Sequence, residues 1–229
     1  MRALRTLLII VVILGGLFAI ADRLLLNYAE SEVADKIKAR QGLSGTTDVS
    51  IQGFPFLTQV AGKELERVDV NVHDISTSAN GHKLVISEMS AALHDVRLED
   101  NYSRATAATA TGTVHITYPD LTKASGEDVV LTYGDKGKIK VTGTVSILGR
   151  PLSRSVVSTV SLVNGDTIRV RADEVPGEGI PGLEDMIRQR TDFDREISGL
   201  PAGMTLQKVE AGPDGIAVSL EGRNVPLAG

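Results

Sequence analysis

Two sets of residues in this sequence have the right types for chemistry, its histidines and a group of acids in its first half. Histidine occurs four times, as His73, His82, His94 and His115. None of the four stands in a His-Glu-x-x-His or other metal-ligand spacing. Four acids could meet across strands as paired carboxylates, namely Asp69, Asp74, Glu88 and Asp95. Acid pairs are also common on the wet face of a sheet, so a hydrolase of cell-wall or lipid substrates is one of three hypotheses.

The sequence lacks the other signatures of catalysis and cofactor binding. It has no Gly-x-Ser-x-Gly elbow, no phosphate-binding loop and no dinucleotide-binding glycine turn. It has no cysteine, which excludes disulfides, thiolate nucleophiles and cysteine-ligated metal. A net charge of -5 and the lack of a basic stripe argue against nucleic-acid binding. We therefore predict a protein that is not an enzyme and has no catalytic residues, no metal and no cofactor.

The segment Gly53-Phe54-Pro55-Phe56-Leu57 is a dense apolar cluster in a protein with no tryptophan and 3% aromatic residues. Strand alternation would expose half of its large side chains, and proline cannot donate to a ladder. We predict a tight apolar plug at the end of a strand. It is either a turn that lines the core or the rim of an apolar pocket.

The N-terminus predicts export. Arg2 and Arg5 precede an unbroken apolar run, Leu7 to Ala21, which ends at Asp22-Arg23. The run suits a signal peptide or a short signal anchor over residues 1–23. Ala19-Ile20-Ala21 is a possible cleavage site, whereas the apolar residues after Arg23 favour retention. The expected location is the cell membrane, single-pass, with residues 24–229 on the extracytoplasmic side, or secretion if the chain is cut after Ala21.

Helical periodicity appears twice after the apolar run. Leu26, Ala29, Val33 and Ile37 predict an amphipathic helix from about residue 24 to 40. A second helix is expected from about Pro181 to Ser198. Its apolar side carries Leu183, Met186, Ile187, Phe193 and Ile197. These side chains either pack in the core or contact a ligand.

The period changes to two over most of the remaining chain, which predicts seven to nine antiparallel strands. Asn164-Gly165-Asp166 indicates a hairpin, and slips in apolar phase between Leu84 and Leu98 indicate bulges. The fold class is therefore α+β, a long, twisted antiparallel β-sheet packed on two amphipathic helices. The small residues of Ala105 to Thr113 either leave space under a helix or form an exposed edge strand.

The Gly53-Phe54-Pro55-Phe56-Leu57-Thr58-Gln59 stretch resembles the signature of the LmeA-like phospholipid-binding family of actinobacterial envelope proteins. The N-terminal anchor, the helix beginning Asn27-Tyr28-Ala29-Glu30 and the C-terminal stretch from Leu200-Pro201-Ala202-Gly203-Met204 to Gly222 resemble it too. The resemblance implies a phospholipid partner in the periplasm or cell envelope and a tubular lipid-binding (TULIP-like) fold. It assigns no catalytic residues.

The leading hypothesis is therefore an exported phospholipid-binding protein, tethered to the cytoplasmic membrane by its N-terminal segment. It would shelter acyl chains in an apolar groove, for lipid transfer or for maintenance of envelope glycolipids. The candidate lipid-binding residues are Phe54, Phe56, Leu57, Leu183, Met186, Ile187 and Phe193. The arginine pairs 169/171 and 188/190 are candidates for the lipid phosphate. The alternative is an envelope adhesion or scaffolding domain without a ligand cavity.

Overall fold

The computed structural model describes residues 2–41, 45–79, 82–125, 129–147, 150–175, 183–197, 200 and 202–227. Its helices are α1 (Arg2–Gln41), α2 (Phe56–Gly62), α3 (Tyr118–Ser125) and α4 (Leu183–Thr191). Its strands are β1 (Thr46–Gln52), β2 (Glu64–Ala79), β3 (His82–Glu99), β4 (Arg104–Thr117), β5 (Val129–Tyr133), β6 (Ile139–Ile147), β7 (Arg150–Val163), β8 (Thr167–Glu174), β9 (Phe193–Glu196), β10 (Met204–Ala211) and β11 (Gly215–Leu227). A tight turn, Asp100–Tyr102, joins β3 to β4.

The strands form two antiparallel sheets, where the sequence predicted one. The large sheet has the order β1-β2-β3-β4-β11-β10, and the small sheet has the order β5-β6-β7-β8-β9. The α+β class and the antiparallel pairing are confirmed. Sequence alternation cannot tell one sheet from two, because each strand has the same period in both arrangements.

The large sheet has an apolar face and a polar face. Val70 in β2 pairs with Ala91 in β3, which pairs with Gly112 in β4, and all three belong to the apolar face. Their chain neighbours point the other way, so Ala92 and Thr111 lie on the polar face. β4 is a central strand of this sheet, so the edge-strand interpretation of Ala105 to Thr113 is wrong.

The long strand β3 has two irregular positions where the sequence indicated bulges, but its register with β2 does not shift at either of them. Pairing between β2 and β3 skips a position between His73 and Ile75 and another between Leu65 and Arg67. Asp74 and Asp95 have left-handed backbone there, with φ of 57° and 50°. Each interruption shifts the alternation, so apolar side chains return to the same face after the break.

The Asn164-Gly165-Asp166 hairpin is also confirmed, between β7 and β8. Val163 pairs with Thr167 across this turn, and Asn164 and Gly165 have φ of 56° and 77°, left-handed conformations that asparagine and glycine adopt easily. The small sheet continues through β8 to β9, where Val170 pairs with Phe193.

The second predicted helix is correct only in its first half. α4 ends at Thr191, and Phe193 belongs to β9 rather than to the helix. The Asp192 carboxylate accepts a 2.8 Å hydrogen bond from the Ala172 N–H of β8, and β9 then pairs with the edge of that strand. Completing a sheet edge outweighs the local helical period. With α2 and α3, the described residues hold four α-helices where two and an N-terminal anchor were expected.

The N-terminal segment and the first predicted helix are one continuous helix, α1. It contacts the domain through the anchor-end cluster, a buried group at one end of the large sheet. The anchor-end cluster consists of Leu26, Ile51, Phe56, Leu65, Val68, Val96 and Ala107. The distal cluster consists of Tyr118, Leu131, Ile139, Val141, Val156, Val160, Val170, Ala172 and Ala211. Eleven residues separate Ala107 from Tyr118 along β4 and its end, so the clusters are about 35 Å apart.

Candidate functional site

The Gly53–Leu57 segment turns the chain from β1 into α2 beside the anchor-end cluster. Gly53 has a φ of 98°, a backbone conformation that favours glycine, and a Cβ there would lie 2.6 Å from the side-chain Nε2 atom of Gln59. The Phe54–Pro55 peptide bond is cis, and α2 begins at Phe56. The prediction that this segment is not a strand is confirmed. Its two rings diverge, because Phe56 is buried in the cluster and Phe54 is exposed.

Asp22 of α1 holds this segment by capping α2. Pro55 occupies the N-cap position of α2, and its side chain makes no capping hydrogen bond. The Leu57 N–H instead donates a 2.8 Å hydrogen bond to the Asp22 Oδ1 atom, from a different helix. Asp22 is fully buried, and its negative charge lies at the positive end of the α2 backbone. The Arg23 Nη2 atom is 3.2 Å from Asp22 Oδ2, close enough for an ion pair but without hydrogen-bond geometry.

Asp22 is the first of two clamps, which are side chains of α1 that accept a hydrogen bond from a backbone N–H of the domain. The second clamp lies two turns further along α1. The Glu30 Oε1 atom accepts a 2.7 Å hydrogen bond from the Ile51 N–H at the end of β1. Leu26 lies between the two clamps and is buried in the anchor-end cluster. The spacing of Asp22, Leu26 and Glu30 is four residues, so all three lie on one side of α1. Helix and sheet are therefore joined over about 12 Å of helix.

Two aromatic rings near α2 are exposed and each lies under a cation. The Arg23 guanidinium is 4.9 Å from the centre of the Phe54 ring. The Lys63 ammonium, just after α2, is 6.0 Å from the centre of the Tyr102 ring. The Tyr102 hydroxyl also donates a 3.4 Å hydrogen bond to the carbonyl of Val60 in α2. The two cation–π pairs thus flank the two ends of α2.

The part of α1 before Asp22 extends away from the domain. From Leu4 to Phe18 every residue is exposed, and most of these side chains are aliphatic. By length and composition α1 is long and apolar enough to cross a membrane. The exposed apolar surface thus leads directly into the turn that Asp22 fixes.

The middle of the apolar face is only partly covered. The half-buried strip is defined by Val70, Met89, Ala91, Gly112 and Val114, none of which is fully buried. It runs between the anchor-end cluster and a third cluster of Leu206, Val218 and Leu220. A Cβ built on Gly112 would approach Ser90 O to 3.5 Å and Leu220 to 3.8 Å, which is ordinary contact. The space at Gly112 therefore accepts a Cβ without displacing its neighbours.

The polar face carries two open grooves that share Thr111. One has a volume of about 580 Å³ and the other about 440 Å³. Their lining is mainly hydroxyl, amide and charged side chains, including Thr109, Thr205 and Asn71. This composition suits water or a polar ligand and does not suit an acyl chain.

A family model described as LmeA-like phospholipid-binding matches residues 20–221. The chain belongs to this family. The matched range includes both clamps of α1, the Gly53–Leu57 segment and both sheets, and it begins as the apolar run ends. No curated protein and no solved structure gives a significant match.

The predicted lipid-contact residues of this LmeA-like chain lie in two separate regions. Phe54, Phe56 and the half-buried Leu57 are at the anchor end of the large sheet. Ile187 packs against the distal cluster, and Phe193 is exposed on β9. Leu183 and Met186 belong to α4, and their side chains lie outside the described part of the structure. The structure does not bring the seven residues together.

The arginines proposed for a lipid phosphate have partners within the LmeA-like domain. The Arg169 and Arg171 guanidiniums contact the two oxygens of Asp194 at 2.8 Å and 2.9 Å. The hydrogen bond from Arg169 holds the pKa of Asp194 below its ordinary value. Arg188 bonds to Glu184 and to the Ala172 carbonyl, and the Arg190 side chain is not among those described. These contacts give the described arginine side chains a structural role in the small sheet.

The acids considered for hydrolysis are dispersed along two strands of the LmeA-like domain. The Asp69 carboxylate accepts a 2.8 Å hydrogen bond from Arg67, while Asp74 and Asp95 mark the irregular positions of their strands. Register places His73, Glu88 and His115 side by side across three strands. Sequence spacing did not predict this row, because the row depends on the register in which the three strands pair. Even so, no group of three potential metal ligands converges within the described residues.

Proposed function

We propose that this protein is anchored in the cytoplasmic membrane by the first part of α1 and binds phospholipid with its extracytoplasmic domain. The match to a phospholipid-binding family over residues 20–221 carries the proposal. The exposed apolar start of α1 supports the anchor, and Arg2 and Arg5 favour a cytoplasmic N-terminus. Such binding would serve lipid transfer or the maintenance of envelope glycolipids.

The continuity of α1 supports retention of the anchor. Leu4 to Arg23 spans about 30 Å of helix, which matches the hydrocarbon thickness of a bilayer. The possible cleavage site after Ala21 lies inside the helix, directly before the buried Asp22. Cleavage would place a charged α-amino group beside the carboxylate that caps α2. The uncut chain keeps that carboxylate within an unbroken helix.

The half-buried strip is the proposed acyl-chain contact. Val70, Ala91 and Gly112 lie side by side across three strands, and small residues at two of these positions leave a shallow depression. Each methylene that a lipid tail buries there gains about 0.8 kcal/mol. Several methylenes would outweigh the loss of chain freedom, and aliphatic walls accept tails of different lengths.

Two neighbouring alanines provide the test. Ala91→Leu fills the strip, whereas Ala92→Leu makes the same change on the polar face of the same strand. Loss of room for two methylenes weakens binding by about 1.6 kcal/mol, roughly tenfold. We expect full-length Ala91→Leu protein, purified from membranes, to retain much less phospholipid by native mass spectrometry than Ala92→Leu or wild type. Gly112→Ala, whose Cβ would meet only ordinary contacts, repeats the test at a second position.

Equal phospholipid in the two alanine variants would refute the strip as the binding surface. Wild-type protein that carries no phospholipid, and takes up none from vesicles, would refute the lipid-binding function. That second result would favour the adhesion or scaffolding alternative.

A further inference from the structure

Exposed aromatic rings concentrate at the end of the domain where α1 leaves it. The chain has four phenylalanines and four tyrosines. Among the described residues, five of these rings are largely exposed, namely Phe18, Tyr28, Phe54, Tyr102 and Phe193. The first four lie on α1 or beside α2, and only Phe193 belongs to the small sheet. Tyrosine favours the headgroup level of a bilayer, where its ring is apolar and its hydroxyl is wet, and phenylalanine supplies apolar surface that can be buried at the same boundary.

The depth of the Phe54 ring relative to the membrane follows from the contact between its turn and α1. Asp22 bonds to the Leu57 N–H, so the Phe54–Leu57 turn lies beside Asp22 and Arg23. The exposed apolar surface of α1 continues beyond that point, since Leu24 and Leu25 are 65% and 47% exposed. From Leu4 to Leu25 the helix is about 33 Å long, slightly more than the hydrocarbon core. With α1 inserted, the turn bearing Phe54 is at the membrane surface.

Two cations at this end are placed to reach a lipid surface, among exposed acids at Glu64, Glu66 and Glu99. Arg23 and Lys63 lie over the two exposed rings, and long basic side chains readily reach lipid phosphates from an interfacial position. Asp100 is already paired with Arg104 in the turn next to Tyr102. The buried Asp22 is occupied in capping α2.

We propose that Arg23, Phe54, Lys63 and Tyr102 form a membrane-facing corner that docks on the phospholipid surface into which α1 inserts. The two rings enter the headgroup region, and the two cations contact lipid phosphates. The domain then contacts the bilayer in one fixed orientation and does not move freely about its N-terminal helix. In that orientation the large sheet rises from the membrane with its anchor end lowest, and the half-buried strip starts near the leaflet. This inference rests on the proposed insertion of α1.

The absence of tryptophan makes the corner directly measurable. Phe54→Trp and Tyr102→Trp each place one fluorophore at the corner, and Phe193→Trp places one on an exposed ring far from it. Each full-length variant is reconstituted into phosphatidylcholine nanodiscs, with or without lipid brominated near the headgroup end of its tails. We expect the emission of the two corner variants to shift to shorter wavelength and to fall at least twofold with brominated lipid. The emission of Phe193→Trp should stay unchanged.

The outcomes separate the corner from the anchor. If Phe54→Trp is quenched no more than Phe193→Trp while the protein stays in the nanodisc, the corner is refuted and the anchor stands. If Phe54→Trp is quenched and Tyr102→Trp is not, the part of the corner formed by Lys63 and Tyr102 is refuted. If the protein elutes apart from nanodiscs, the anchor itself is refuted. Quenching of Phe54→Trp in nanodiscs of phosphatidylcholine alone also supports the corner, because that lipid carries a phosphate and no net charge.

Discussion

Replacing Asp22 tests how the membrane helix is joined to the folded domain. Its Oδ1 atom is the only described acceptor for the Leu57 N–H, at 2.8 Å, and the carboxylate is fully buried. Asp22→Ala removes the acceptor and leaves that N–H without a partner in a partly buried site. Asp22→Asn keeps an oxygen for the cap but loses the negative charge near Arg23.

The size of the effect can be worked out from this geometry. Loss of an acidic cap costs about 0.5–2 kcal/mol, and an unsatisfied buried donor costs about 1–3 kcal/mol. Removing a buried charge returns part of that cost, because the carboxylate no longer has to be kept out of water. We therefore expect about 2 kcal/mol for Asp22→Ala and about 1 kcal/mol for Asp22→Asn. For a domain of this size, 2 kcal/mol lowers Tm by about 4–8 °C.

The assay is thermal unfolding of the full-length protein in detergent micelles, followed by circular dichroism at a strand-sensitive wavelength. Asp35→Ala is the matched control, since Asp35 is an exposed acid on the same helix and surface substitutions change stability by about 0.5 kcal/mol or less. The expected order of Tm is wild type and Asp35→Ala, then Asp22→Asn, then Asp22→Ala. An Asp22→Ala variant that melts with the control, or an Asp22→Asn variant that melts below Asp22→Ala, would contradict the capping role.

Two further predictions concern the pH dependence of stability. The pKa of Asp194 is lowered by its hydrogen bond from Arg169, so its contribution is present above the ordinary value of 3.8 and lost as pH falls through the lowered one. Asp194→Asn should therefore flatten the acid limb of Tm against pH, while Glu196→Gln on the same strand leaves it steep. Burial raises the pKa of Tyr118 above 10.0, so its contribution is present below pH 10.0 and lost at higher pH. Tyr118→Phe also loses the 2.8 Å hydrogen bond to the Gly212 carbonyl, which costs about 1 kcal/mol at neutral pH, and it should flatten the alkaline limb. Unchanged limbs in these variants would refute the two assignments.

Local sequence patterns predicted the helices and strands well where residues that are close in sequence determine the structure. The helix expected from about residue 24 to 40 is the second half of α1, which ends at Gln41. The β7–β8 hairpin follows from its turn residues, and the irregularities of β3 follow from its slips in apolar phase. In each case the signal is carried by neighbours in sequence, through backbone preference or alternation.

Non-local pairing explains what the sequence did not reveal. Phe193 fits a helical stripe by spacing, yet the open edge of β8 pairs with it and makes a strand. Arg169 and Arg171 look like a phosphate site until Asp194, which lies 25 residues after Arg169, is placed between them. No local property of these residues contains that information. The sequence therefore identified Arg169 and Arg171 as a pair without their partner Asp194, and it assigned Phe193 to the wrong kind of element.

Asp22 shows why the candidate site was only half predictable. In the sequence it ends an apolar run, and an acid at that position is typical of the boundary between a membrane segment and the domain after it. Its second role requires α2 to begin at Phe56, directly after a proline whose side chain makes no capping bond. The same start divides the two rings, since Phe56 is inside the helix and packs inward while Phe54 precedes it and stays outside. The acid at the membrane boundary and the exposed ring beside it are thus consequences of one local structure, the capped first turn of α2.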